Sequence, residues 1–89
     1  MANPRNFDPD FTRTIVTVYY INNRVVKRNT AKHANRAVLH CVNHMQLNIY
    51  EATVAEVYDE KRGVLHCVVK RKINGDIVIL YRRKVKENY

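Results

Sequence analysis

Glycine is scarce in this chain of 89 residues: only Gly63 and Gly75 are present. Both fall where a hairpin must turn, so no glycine-rich loop is left to cradle a phosphate. Cysteine is equally sparse. Cys41 and Cys67 show no spacing of an oxidised framework, and both are expected as free, buried thiols. Proline occurs only at Pro4 and Pro9. The first eleven residues also lack any periodic pattern, so 1–11 reads as an extended or disordered N-terminal arm on which Phe7 and Phe11 can dock against the body. Long apolar runs are missing too. The longest stretch that could imitate a membrane span is broken by His33, Arg36, His40 and His44, and Met1-Ala2-Asn3-Pro4-Arg5 lacks the apolar run of a signal peptide. The expectation is a cytoplasmic protein without membrane association.

Catalytic apparatus is absent on the same reading. Glu51, Glu56, Asp59 and Glu60 lie in or beside one strand and offer no paired-carboxylate geometry. Cys41 and His44 are neighbours on a helix, but Cys41 sits in the apolar stripe, where a thiolate would be desolvated. His40 and His44 are one helical turn apart, a spacing that can hold zinc, without the glutamate of the metalloprotease pattern. The tetrapeptide Leu-His-Cys-Val occurs at 39–42 and again at 65–68. Adjacent side chains diverge by about 100° on a helix and about 180° on a strand, so the two copies do not assemble one metal site. No enzyme activity, metal or cofactor is expected.

What the sequence does contain is a foldable amount of apolar residue, 46%, beside 27% charged. That balance predicts one folded domain over 12–86, with 87–89 as a tail. Residues 12–21 are β-branched and aromatic and read as a long strand. Asn22-Asn23 tolerates positive φ and turns the chain into a shorter partner, 24–28. Asn29 or Thr30 is a candidate helix cap. Ala34, Ala37, Val38, Cys41, Val42 and Met45 then repeat at the spacing of an amphipathic helix ending near Asn48. Three more strands follow at 50–59, 64–72 and 77–84, the first with a slip in its apolar phase that points to a bulge or to a strand with both faces covered, the last two joined at Asn74-Gly75. The predicted fold is α+β: a five-stranded, mainly antiparallel sheet with one helix on one face, in the order β-β-α-β-β-β. The register of the last hairpin stays open, since a two-residue loop sets Lys72 opposite Ile77 and a three-residue loop including Asp76 shifts every pair by one and exchanges Arg83 for Arg82.

Net charge is +8, with pI ≈ 9.8. Residues 61–86 hold nine basic residues against Asp76 alone, whereas residues 1–60 hold seven basic and six acidic ones. One helix cannot cover both sheet faces. If Leu65, Cys67 and Val69 face the helix, the other surface joins Val64, His66, Val68, Lys70 and Lys72, and is basic and greasy together. Such a surface attracts anions. Lys70, Lys72, Arg82 and Arg83 are the candidate phosphate contacts, with Tyr19 and Tyr81 as candidate stacking rings. The competing account is that strand-edge cations keep an exposed sheet soluble.

The run His44-Met45-Gln46-Leu47-Asn48-Ile49-Tyr50-Glu51-Ala52-Thr53-Val54-Ala55-Glu56-Val57-Tyr58-Asp59, continued by Gly63-Val64-Leu65-His66 and Gly75-Asp76-Ile77, resembles small accessory proteins encoded by bacteriophages of actinobacteria. The similarity runs from about Thr14 to Arg83 and carries no motif of known chemistry. It implies expression in the cytoplasm of an infected bacterium and a role in takeover of the host or in defeating its defences. Three uses then follow from the residues and this context. The first is nucleic-acid binding. The second is docking on an acidic host protein through the half-apolar sheet face, and the third is sequestration of a small anionic nucleotide. A homodimer formed through a sheet-to-sheet contact is compatible with each.

Overall fold

The computed structural model describes residues 13–81. β1 (Ile15–Ile21) turns at Asn22 and Asn23, whose φ values of 51° and 68° suit the two-residue hairpin that the sequence led us to expect. β2 (Arg24–Ala31) is longer than predicted, because its ladder with β1 continues to the pair Ile15 and Ala31. Asn29 and Thr30 are therefore strand residues and not helix caps: cross-strand pairing takes the backbone groups that a cap would have needed. α1 (Ala34–Gln46) instead starts after His33, whose side chain makes no capping bond.

β3 (Val54–Asp59), β4 (Val64–Arg71) and β5 (Ile77–Tyr81) complete an antiparallel sheet in the order β2-β1-β3-β4-β5. The helix crosses from the β2 edge to the far side of β1 and packs on one face. Ala37, Cys41 and Met45 of α1 meet Ile15, Tyr19, Ala55, Val57, Cys67 and Val69 there. Removing a large apolar side chain of this kind from water contributes about 1.5–3 kcal/mol. Tyr50 and Ala52 belong to the loop before β3, which accounts for the slip in apolar phase without a bulge between β1 and β3.

The irregularity lies on the other side of β3. Val57 pairs with Cys67 and Tyr58 with Leu65, so His66 is an extra residue in β4. That bulge inverts the expected facing of the first residues of β4. Leu65 shares its face with Tyr58, away from the helix, while Val64 pairs with Asp59 on the helix side. In the last hairpin Arg71 pairs with Ile77 and the Lys72 amide donates to the Asp76 carbonyl at 2.7 Å. The loop is Ile73-Asn74-Gly75, three residues as in one of the alternatives but with Ile73 in it and Asp76 paired to Lys72, and Gly75 takes the required positive φ of 98°.

The face away from the helix differs from the sequence expectation. Of the five residues assigned to it, Val68 and Lys70 lie on it, in line with Glu56 and Val54 of β3. Val64 and His66 do not, and Lys72 is in the turn. The middle of that face is not bare: Val16 and Val18 are 0% and 5% exposed, flanked by Thr30, Tyr58, Arg28 and Glu56. Tyr20 donates its hydroxyl proton to Glu56 there at 3.0 Å, which puts a carboxylate near the centre.

Candidate nucleic-acid interface

Of the candidate contacts from the sequence, Lys70, Lys72, Tyr19 and Tyr81 are among the described residues. Lys70 is exposed on the face away from the helix and Lys72 is exposed in the β4–β5 turn. Arg82 and Arg83 lie outside the described residues, as do Phe7 and Phe11. Tyr19 cannot stack on a base. It is 1% exposed, its ring lies 4.6 Å from that of Tyr50, and its hydroxyl bonds Nδ1 of His44 at 2.8 Å. Burial raises the Tyr19 pKa, with Cys41 adding to the effect, so the phenol stays protonated. Tyr81 is 68% exposed, but alternation from Lys70 puts it on the helix side of β5, the face opposite Lys70.

Other cations of the C-terminal third are engaged. The Arg71 guanidinium donates to the carbonyl of Met45, at the end of α1, and from Nε to the carbonyl of Ala52 at 3.3 Å. Arg62 pairs with Asp59 at 3.8 Å, and its amide donates to the same carboxylate at 3.0 Å. Charge counted along the chain overstated what this region can offer a ligand.

A second group of cations is concentrated instead along β2 and the start of α1. Residues 11–50 contain six lysines and arginines and no carboxylate at all. Counting 1–60 as one block hid this, because Glu51, Glu56, Asp59 and Glu60 restored the balance on paper. In the fold Glu56 and Asp59 sit on β3, Glu60 in the turn after it and Glu51 in the loop before it, while β2 is an edge of the sheet. Arg24, Lys27 and Arg28 lie on that edge strand, Lys27 in register with Tyr19 on the helix side and Arg28 in register with Val18 on the other face, and Lys32 and Arg36 follow at the passage into the helix. At about 3.3 Å per strand residue the row spans roughly 25 Å.

At the upper end of the row is a cleft of about 540 Å³ bordered by Arg13, Thr30, Lys32, His33, Arg36 and His40. Arg13 is held across it by donating to the Thr30 carbonyl at 3.1 Å. Among the described residues no carboxylate borders the cleft. Along the row, Lys27 lies 6.0 Å from the Tyr50 ring centroid, and Arg28 reaches Glu60 at 3.5 Å with both side chains half exposed. An exposed pair of that sort is worth about 0–1 kcal/mol, so a phosphate can displace the glutamate. The rings of His40 and His44 lie tilted to each other, 6.3 Å between centroids, on the helix side of the sheet. His44 is held below the usual imidazole range by burial first and by His40 second.

Both thiols are withdrawn from this surface. Cys41 and Cys67 are 0% exposed, and burial pushes the Cys41 pKa up to about 12. Among the described residues no cluster of metal-ligating side chains forms, and no helix is long and apolar enough to cross a membrane. No protein-family model, curated protein or solved structure matches this chain.

Proposed function

We propose that this α+β chain binds nucleic acid through its phosphates, with the β2 edge and the adjoining cleft as the principal contact. The observation that carries the reading is the acid-free stretch of residues 11–50, whose Arg13, Arg24, Lys27, Arg28, Lys32 and Arg36 lie on or beside the edge strand β2, turned to both sides of it. A linear array of cations suits a polyanion better than a single small anion, since each lysine or arginine neutralises one phosphate and releases its counterion. Lys70 and Lys72 are a smaller second contact, about three strand spacings of ~4.8 Å away across the sheet. The bound strand is read by charge and shape, and the affinity is largely independent of base sequence.

The test is a salt titration with labelled single-stranded and duplex oligonucleotides. Binding is expected to fall by decades between about 50 and 200 mM salt, with a log–log slope near −0.7 to −0.9 per phosphate contacted. Replacing Arg13, Lys32 and Arg36 together by glutamine should flatten that slope by about one unit for each residue in contact, with equal loss on every sequence. The pair Lys70→Gln and Lys72→Gln should lose less. Affinity that ignores salt would refute the reading, and capture of an acidic protein that survives nuclease treatment would replace nucleic acid by that partner.

A further inference from the structure

The two edges of the sheet are built differently. β2 carries Arg24, Lys27 and Arg28, and Val26 is an extra residue that interrupts its ladder with β1. Both features keep an edge from pairing with another strand. Two copies of β2 laid antiparallel about Val26 would also set Arg24 against Arg28, cation against cation. β5, Ile77-Val78-Ile79-Leu80-Tyr81, has no charge, no proline and no bulge, and Leu80 and Tyr81 are exposed.

The free backbone groups of β5 can be assigned. Lys72 and Asp76 form a hydrogen-bonded pair. Such pairs recur at every second residue of an antiparallel ladder, so Lys70 bonds Val78 and Val68 bonds Leu80. The amides and carbonyls of Ile77, Ile79 and Tyr81 therefore point away from β4, and among the described residues no strand lies on that side.

We propose that a second copy of this chain pairs there, β5 to β5, antiparallel about a two-fold axis at Ile79. This register sets Ile79 opposite its counterpart and Ile77 of each copy opposite Tyr81 of the other. Every outward amide and carbonyl of Ile77, Ile79 and Tyr81 is then matched; among the described residues a register two residues away leaves some of these groups unpaired. The side chains agree with the backbone. Ile77, Ile79 and Tyr81 meet on the helix side, and Val78 meets Leu80 on the other, apolar against apolar on both faces. Beside β5 runs an apolar groove of about 600 Å³ whose walls include Val38, Leu39, Val42, Ile79 and Tyr81. Leu39 is 58% exposed on the helix flank. Pairing brings the two grooves together across the axis and covers Leu39 and Tyr81. The cationic β2 edges are left at the outer ends of a doubled sheet, where their charges are farthest apart. The inference stands on the hydrogen-bond geometry of β5 and is independent of the nucleic-acid reading.

Light scattering on the full chain should give twice the 10.5 kDa of one copy. A cross-linking experiment tests the register. Val78 and Leu80 of different copies would form a non-hydrogen-bonded pair, with Cα atoms about 4.5 Å apart, close enough for a disulfide. A mixture of Val78→Cys and Leu80→Cys chains should therefore cross-link several-fold more under mild oxidation than either variant alone. Both should exceed Ile73→Cys, in the exposed turn, and the native thiols are buried and do not compete. A mass of one copy even at about 0.1 mM, well above the Kd of a stable dimer, would overturn the proposal. Mixed cross-linking no greater than that of Ile73→Cys would do the same.

Discussion

Arg71 separates charge that the sequence counts from charge that a ligand can use. It lies between Lys70 and Lys72, yet its guanidinium reaches under the sheet to the carbonyls of Met45 and Ala52. It thereby ties β4 to the C-terminal end of α1, where the helix dipole favours a cation, and to the loop leading into β3. Replacing it by methionine keeps most of the aliphatic stem and removes both bonds. A hydrogen bond with one charged partner is worth about 1.5–3 kcal/mol, and each carbonyl recovers part of that from water at a half-buried site. Arg71→Met should therefore cost about 2–3 kcal/mol in all. In a domain of this size that lowers Tm by roughly 10–20 °C. Arg71→Lys should recover some of the loss, since an ammonium can reach one carbonyl but lacks the fork that spans two. The assay is urea unfolding followed by circular dichroism, run beside the salt titration of nucleic-acid binding. A stability loss below ~0.5 kcal/mol, within the usual range for surface changes, would refute the clamp. So would a drop of about one unit in the salt slope, which would mean that Arg71 had been touching phosphate.

Two further outcomes follow from the buried groups. Neither Cys41 nor Cys67 should react with a thiol reagent in the native protein, since both are 0% exposed; labelling should track unfolding in urea, and rapid labelling in buffer would contradict the packing. His44 has its folded pKa lowered, chiefly by burial and then by His40. As the pH falls below about 6.5 the unfolded chain takes up a proton that the folded chain resists, so this contribution to stability is present above that pH and lost on acidification. His44→Gln should flatten the decline in urea midpoint between neutral and mildly acidic pH; an unchanged decline would place the titrating group elsewhere.

The α+β architecture was legible because its strongest signals are local. Asn22-Asn23 and Asn74-Gly75 accept positive φ where few residues do, and the stripe from Ala34 to Met45 has the period of a helix. Where local signals competed with pairing, pairing won. Asn29 and Thr30 have the side chains of caps, but β1 offers their backbone a ladder up to Ala31. The bulge at His66 leaves no mark in composition, and a single inserted residue is enough to send Val64 and Leu65 to the faces opposite those expected.

The candidate site was harder to read for a related reason. β1 is apolar on both sides, Ile15 and Tyr19 toward the helix and Val16 and Val18 away from it, so alternation alone could not tell that Tyr19 is enclosed. Net charge along a chain is likewise blind to which cations are already engaged, as Arg62 and Arg71 are. The acid-free run from residue 11 to 50 was visible in the sequence, but its meaning depends on topology. Had β3 returned beside β2, Glu56 and Asp59 would have faced those cations and cancelled them. Because the chain crosses over the sheet and pairs β3 with the other side of β1, β2 is an edge among the described residues, and there its basic residues meet a carboxylate only in the exposed contact of Arg28 with Glu60.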